Sequence, residues 1–243
     1  MKTMTFAALL AVSALAQPAT AETLKKVPVA LNPAKAYILI EYRQLENPMA
    51  DFPGSRKTLP LTTGLSFAHY DPVLGDIRGL GKASANPLPS KTPATEYFRN
   101  REIVRGDGAR LHLLEVDPDT WVIQAWGTTS FSLGSYSFKA EAGTVTDLGV
   151  VEGASDWAEG DHAMTGGGLM KMALLGPFGK RPAVAPMRAS IRPRTATDMA
   201  IPAELATAQI KPVEFTKGAT FGNYLGGLVN RIEGVNATAK EAK

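Results

Sequence analysis

The chain has 243 residues, 44% of them hydrophobic, with no cysteine and a net charge of +3. The length allows one sizeable core. The missing cysteine excludes disulfides, thiolate metal sites, cysteine nucleophiles and a cysteine-linked lipid anchor. The small net charge lacks the concentrated basic face that nucleic-acid binding needs, so no nucleic acid is expected as a partner.

Residues 1–21, MKTMTFAALLAVSALAQPATA, open with one charge at Lys2 and an apolar run from Phe6 to Ala16. Gln17-Pro18 then breaks the run and Ala19-Thr20-Ala21 supplies an A-x-A site. This is the layout of a secretory signal peptide, with cleavage expected after Ala21. The run is shorter than the roughly 20 apolar residues a bilayer span needs. The expected location is therefore the periplasm or the exterior, with no transmembrane segment in the mature chain. Losing Lys2 with the leader lowers the net charge by one.

Residues 22–235 read as a single domain, and 236–243 as a frayed tail. Ala36–Tyr42 is apolar on both faces at its centre and predicts a buried strand. Asp71 to Pro93 carries Pro72, Gly75, Gly79, Gly81, Pro87, Pro89 and Pro93 without periodicity, and predicts a long irregular insertion over 71–93. Leu111–Val116 and Trp121–Trp126 read as strands joined by Asp117-Pro118-Asp119-Thr120, a turn sequence that predicts a hairpin. Ser135–Ala140 alternates cleanly, Ala142-Gly143 turns the chain, and Thr144–Val151 returns. A second insertion is expected over 152–186, which holds Gly166-Gly167-Gly168, Pro177, Pro182 and Pro186.

Met187, Ala189 and Ile191 alternate with Arg188, Ser190 and Arg192, predicting a half-buried strand with arginine on its wet face. Pro202 opens a short turn through Ala206. Gln209–Phe215 reads as an edge strand because of Pro212. Leu225, Leu228, Val229 and Ile232 recur at helical spacing after Asn223, predicting a short C-terminal helix. Short strands with turns between them predict an all-β fold: an antiparallel β-sandwich with long irregular insertions and that helix.

The stretch from Leu111 to Gly149 resembles uncharacterised exported β-sandwich domains of Gram-negative bacteria, of the transthyretin-like or immunoglobulin-like kind. The resemblance rests on Leu111-His112-Leu113-Leu114-Glu115-Val116, Pro118-Asp119-Thr120-Trp121-Val122-Ile123, Phe138 to Val145 and Leu148-Gly149, about a sixth of the chain. In look-alikes the turn is commonly Pro-Gly before Thr-Tyr; here Asp119 and Trp121 stand in those places. The resemblance implies a sandwich fold and no activity.

Chemistry-bearing patterns are few. His69 and Asp71 flank Tyr70 and are half of an acid–base pair without a nucleophile. His112 reads as a hydrogen-bonded strand residue. Asp156, Glu159, Asp161 and His162 crowd one loop and are the candidate ligands for a hard cation, although their spacing matches no calcium loop. Gly79-Leu80-Gly81-Lys82-Ala83-Ser84 fails as a phosphate loop at two positions, and no G-x-S-x-G elbow occurs. No cofactor is expected.

Met164–Gly179 is apolar and adaptable. With the basic residues after it, it offers an interaction patch: Leu169, Met170, Met172, Leu174, Leu175, Phe178, Lys180 and Arg181. Acidic residues alone occupy 140–161 and basic ones alone 180–194. The two stretches neutralise each other, or the basic one meets lipid phosphates. The partner is then an unidentified envelope protein or a lipid surface. The leading expectation is an uncharacterised, exported, non-enzymatic binding or structural module of the cell envelope. A periplasmic metal-dependent hydrolase and a peripheral membrane-surface protein are the alternatives.

Overall fold

The computed structural model describes residues 22–43, 64–97, 101–106, 108–127, 129–155 and 187–232. They form an all-β, sandwich-like arrangement of two mixed sheets. The first sheet has the order β1 (Glu22–Thr23), β7 (Ala109–Val116), β2 (Ala36–Arg43), β11 (Thr144–Ser155), β12 (Met187–Arg192). In addition β6 (Val104–Arg105) pairs β7, and β13 (Gln209–Pro212) pairs β11. The second sheet has the order β14 (Thr216–Ala219), β10 (Ser135–Ala140), β8 (Asp119–Trp126), β3 (Leu65–Asp71), β4 (Asp76–Ile77). Here β5 (Thr95–Tyr97) pairs β3, β9 (Thr129–Ser130) pairs β8, and β15 (Leu228–Val229) pairs β9.

The main core lies between the sheets. Ile38, Ile40 and Tyr42 of β2 meet Phe67 of β3, Trp121, Ile123 and Trp126 of β8 and Phe138 of β10. Alternation sends Tyr37 and Leu39 to the other face of β2. There they pack with Leu111, Leu113, Val145 and Leu205, and with partly buried Leu24, Val27, Met199, Ile201 and Ile210. The first sheet is thus covered on both faces, which is why β2 reads as a nearly continuous apolar run.

Three sequence expectations need correction. The sandwich is not purely antiparallel: β2 with β11, β11 with β13, and β9 with β15 run parallel. Nor do β7 and β8 form a hairpin. β7 pairs β1, β2 and β6, whereas β8 pairs β3, β9 and β10. Asp117-Pro118 therefore carries the chain from one sheet to the other. A two-residue hairpin prefers positive φ in its loop, and Pro118 cannot supply it. The link from β10 to β11 also changes sheets, through Gly143 at φ +70°. Lys35 holds both crossings: its Nζ donates to Asp117 Oδ1 at 2.8 Å, and its carbonyl accepts from Gly143 N at 2.7 Å.

The expected C-terminal helix is absent. Gly226 sits at φ +66° and closes a turn onto the carbonyl of Asn223, and Leu228-Val229 pair with β9 as a strand. Gly226 and Gly227 each weaken a helix by about 1 kcal/mol, and the extended chain satisfies its backbone against β9 instead. The short turn after Pro202 appears as a 3-10 turn at Ala203–Leu205. The insertion expected over 71–93 begins with the β3–β4 hairpin and runs on irregularly.

Against Ile40 of β2, β11 inserts Leu148-Gly149, a bulge with Gly149 at φ +84°. A Cβ there would collide with the backbone carbonyl of Arg192. Gly149→Ala should cost roughly 2–4 kcal/mol in urea denaturation. At Gly108, also left-handed at φ +68° but facing open space, alanine should cost only about 1–2 kcal/mol.

Candidate functional site

β3 and β8 pair in a register that sets His69 opposite Trp121. Their rings lie 4.0 Å apart between centroids, tilted by 36°. His69 Nδ1 lies 2.6 Å from Asp119 Oδ2. An ionised carboxylate only accepts, so Nδ1 carries the proton. Arg78 Nη1 donates to that same oxygen. The rest of its guanidinium donates to the carbonyls of Asn86, at 2.7 Å, and Pro87. Asp119 is thus clamped between a histidine and an arginine at one end of the core. His69 is only 3% exposed, so this dyad fastens β3, β4 and β8 together more readily than it meets a substrate.

The His69–Asp71 pairing expected from sequence is not the one that forms. Asp71 Oδ1 accepts the amides of Val73 at 2.9 Å and Leu74 at 3.1 Å, and Oδ2 accepts the Ser84 hydroxyl. The Ser84 bond and those amides hold its carboxyl below the ordinary range. Asp119, on the neighbouring strand, reaches the imidazole instead. Asp119 and Trp121 both contact His69.

His112 is a buried strand residue, as expected, with Nδ1 2.7 Å from the carbonyl of Arg101. Burial pushes its pKa down to about 4, against the Arg101 bond and the Glu102 charge, which raise it. Tyr42 stands edge-on to both His112 and Trp126, at 5.5 Å from each. The phosphate-loop look-alike wraps a carboxylate of the chain itself. Asp76 accepts from Lys82 N at 3.2 Å, Ile77 N at 2.9 Å, Gly222 N at 3.4 Å and the Tyr224 hydroxyl at 3.0 Å. Burial raises its pKa, but these donors outweigh it and the net shift is downward.

Asp156, Glu159, Asp161 and His162 lie outside the described residues. So does the patch of Leu169, Met170, Met172, Leu174, Leu175, Phe178, Lys180 and Arg181. Among the described residues no three His, Asp or Glu side chains are grouped to hold a metal ion.

An ionic network on the outer face of the first sheet was not foreseen. Glu41, 0% exposed in β2, accepts Arg194 Nη1 at 2.6 Å and Met199 N at 3.0 Å, and pairs with Arg43 Nε at 3.0 Å. Asp198 takes Arg43 Nη2 at 2.6 Å and both terminal nitrogens of Arg192 at 2.7 Å. It also takes the amide of Thr195 at 2.7 Å and its hydroxyl at 2.8 Å. The Arg192 bond first, then the Thr195 and Arg43 donors, hold the Asp198 carboxyl far below the ordinary range against the effect of burial. Arg194 further binds both oxygens of Asp147, at 3.0 and 3.2 Å. The acidic and basic stretches of the sequence therefore meet in part through direct pairs: Asp147 with Arg194, and Glu152 with Arg192 at 3.7 Å.

Beside this network lies a cleft of about 210 Å³. β12 and β13 pair with successive parts of β11, and the cleft opens where the two meet, over the bulge. Its lining includes Leu148, Ile191, Ile210, Val213 and Phe215, with Arg192 and Arg194 also contributing. Phe215 packs in turn against Tyr136 and Phe138, at 5.5 and 5.9 Å. Drug-sized sites run to about 300–1,000 Å³, so this cleft suits one apolar side chain or a short alkyl group. Fold and site together define an all-β, sandwich-like protein whose charged side chains fasten its frame beside an apolar cleft. Comparison with protein-family models, with curated proteins and with solved structures gives no match for this chain.

His112 makes stability depend on pH. Its folded-state pKa lies below the ordinary 6.5, so the unfolded chain takes the proton first. The neutral-histidine contribution is complete above about pH 6.5 and is lost as the pH falls towards 4, by about 3 kcal/mol in all. His112→Gln should lack that component when unfolding free energies are compared across the window.

Proposed function

We propose that the protein is an exported, non-enzymatic β-sandwich module of a Gram-negative cell envelope. It binds an apolar group of a partner in the cleft between β11, β12 and β13. The cleft carries this reading. Its floor runs through Phe215 into the main core, and its arginines are already paired with carboxylates. Recognition there rests on apolar fit and not on a free charge.

The leader supports export. Among the described residues the first strand is Glu22–Thr23, and Thr23 is buried. Among the described residues no helix is long and apolar enough to cross a membrane. The alternatives gain less. A hydrolase using His69 and Asp71 loses its pairing to Asp119 and Ser84. A lipid-phosphate site at 188–194 would have to compete with the carboxylates holding Arg192 and Arg194.

The test uses the exported, purified protein, whose first residue by mass spectrometry should be Glu22. Titration with a short linear alcohol such as hexanol should shift the methyl resonances of Leu148, Ile191, Ile210 and Val213 in a saturable way. Val213→Trp, which fills the cleft, should abolish those shifts. Shifts that do not saturate, or that arise elsewhere and survive Val213→Trp, would remove the cleft as the binding site.

A further inference from the structure

Ser66 of β3 pairs with Ala125 of β8, and Ala125 pairs with Ser130 of β9. The three residues form one row across three strands, and side chains in such a row share a face. Ala125 is the smallest of the three, so the row is a shallow trough with a hydroxyl on either side. β3 passes from Ser66↔Ala125 to Phe67↔Ile123, which leaves Gln124 as the extra residue of a bulge.

Ser66 is 4% exposed, and Gln124 and Ser130 are 1% exposed. The hydroxyl oxygens of both serines, and both the oxygen and the nitrogen of the Gln124 amide, have no hydrogen-bond partner among the described residues. Folded proteins leave few such groups unpaired, and each has a cause. The neighbouring hydroxyl of Ser135 shows the contrast, since it donates to the carbonyl of Ile123.

We infer that the Gln124 bulge is a binding site for buried water. The chemistry selects an uncharged guest that both donates and accepts. The amide supplies two donor hydrogens and an acceptor, each hydroxyl supplies one donor and an acceptor, and the row contains no charge. Adjacent strands are about 4.8 Å apart, so the two serines flank Ala125 across about 10 Å. That span holds about two waters in file, each able to make the roughly three bonds typical of internal water. The waters join β3, β8 and β9 where the bulge interrupts the direct ladder, so β8 turns its register at a wet seam.

The experiment is nuclear magnetic resonance in H2O on the full-length mature protein. Cross-peaks between the Gln124 side-chain NH2 and water are expected, with the sign of a long-lived dipolar contact and not of proton exchange. The isosteric apolar variant Gln124→Met should then lower the melting temperature by about 3–6 °C, because it strips a partner from the guests. Absence of the dipolar cross-peaks overturns the site. So does a melting temperature that rises in Gln124→Met, as it must if the amide is buried and unpaired. Ser130→Ala, a milder change, should fold normally and weaken the same cross-peaks, and cross-peaks unchanged in that variant also count against the site.

Discussion

Glu41 sets the terms for the rest of the molecule. It is a carboxylate in the central part of β2, buried without exposure in a strand whose neighbours are Ile40 and Tyr42. An ion cannot stay buried unless it is paired and hydrogen-bonded. Two partners come from far along the chain, Arg194 and the amide of Met199 on one oxygen, while Arg43 of the same strand closes on the other. The segment after β12 must therefore fold back over the outer face of the first sheet. In doing so it brings Asp198 to Arg43 and Arg192, and lays Met199, Ile201 and Leu205 over Tyr37 and Leu39. One buried charge thus fixes both the ionic layer and the apolar cover beside it.

The other charged clusters serve the same end at other corners. Arg78 and His69 share Asp119 where β3, β4 and β8 meet. Asp76 ties the β3–β4 hairpin to the returning C-terminal chain through Gly222 and Tyr224. Lys35 holds the two crossings between sheets. A chain without cysteine has no covalent staple, and these pairs fix the geometry of a frame whose stability comes from its apolar core. The bulge at Leu148-Gly149 then opens the edge, so that the cleft stands between a locked ionic layer and the aromatic core at Phe215.

Several of the longer strands were legible in the sequence. Ala36–Tyr42, Leu111–Val116, Trp121–Trp126, Ser135–Ala140 and Met187–Arg192 all announce themselves through burial on one or both faces, a local property of alternation. Their partners were not legible. Alternation says which face of β7 or β8 is apolar but not which sheet it joins, and the hairpin reading failed there, although Pro118 carried a usable warning. The C-terminal spacing of Leu225, Leu228, Val229 and Ile232 imitates a helix because short apolar runs fit both periods, and glycine decided the outcome. The ionic network stayed hidden for a different reason. Glu41 and Arg194 are 153 residues apart, and although Glu41 lies in a strand predicted to be buried, nothing local names Arg194 as its partner. The opposed acidic and basic stretches were the one trace of it.

The coupling between those two side chains is the most direct test of the account. A double-mutant cycle with Glu41→Gln and Arg194→Met, followed by urea denaturation, isolates it. Each single change leaves a buried ionic partner exposed to the wrong company and should cost about 3–5 kcal/mol. If Glu41 organises the fold as described, the double variant should recover much of that loss, with a coupling energy of about 2 kcal/mol or more. Additive losses, with a coupling below about 0.5 kcal/mol, would mean that the return of the chain over the first sheet is held by its apolar contacts alone.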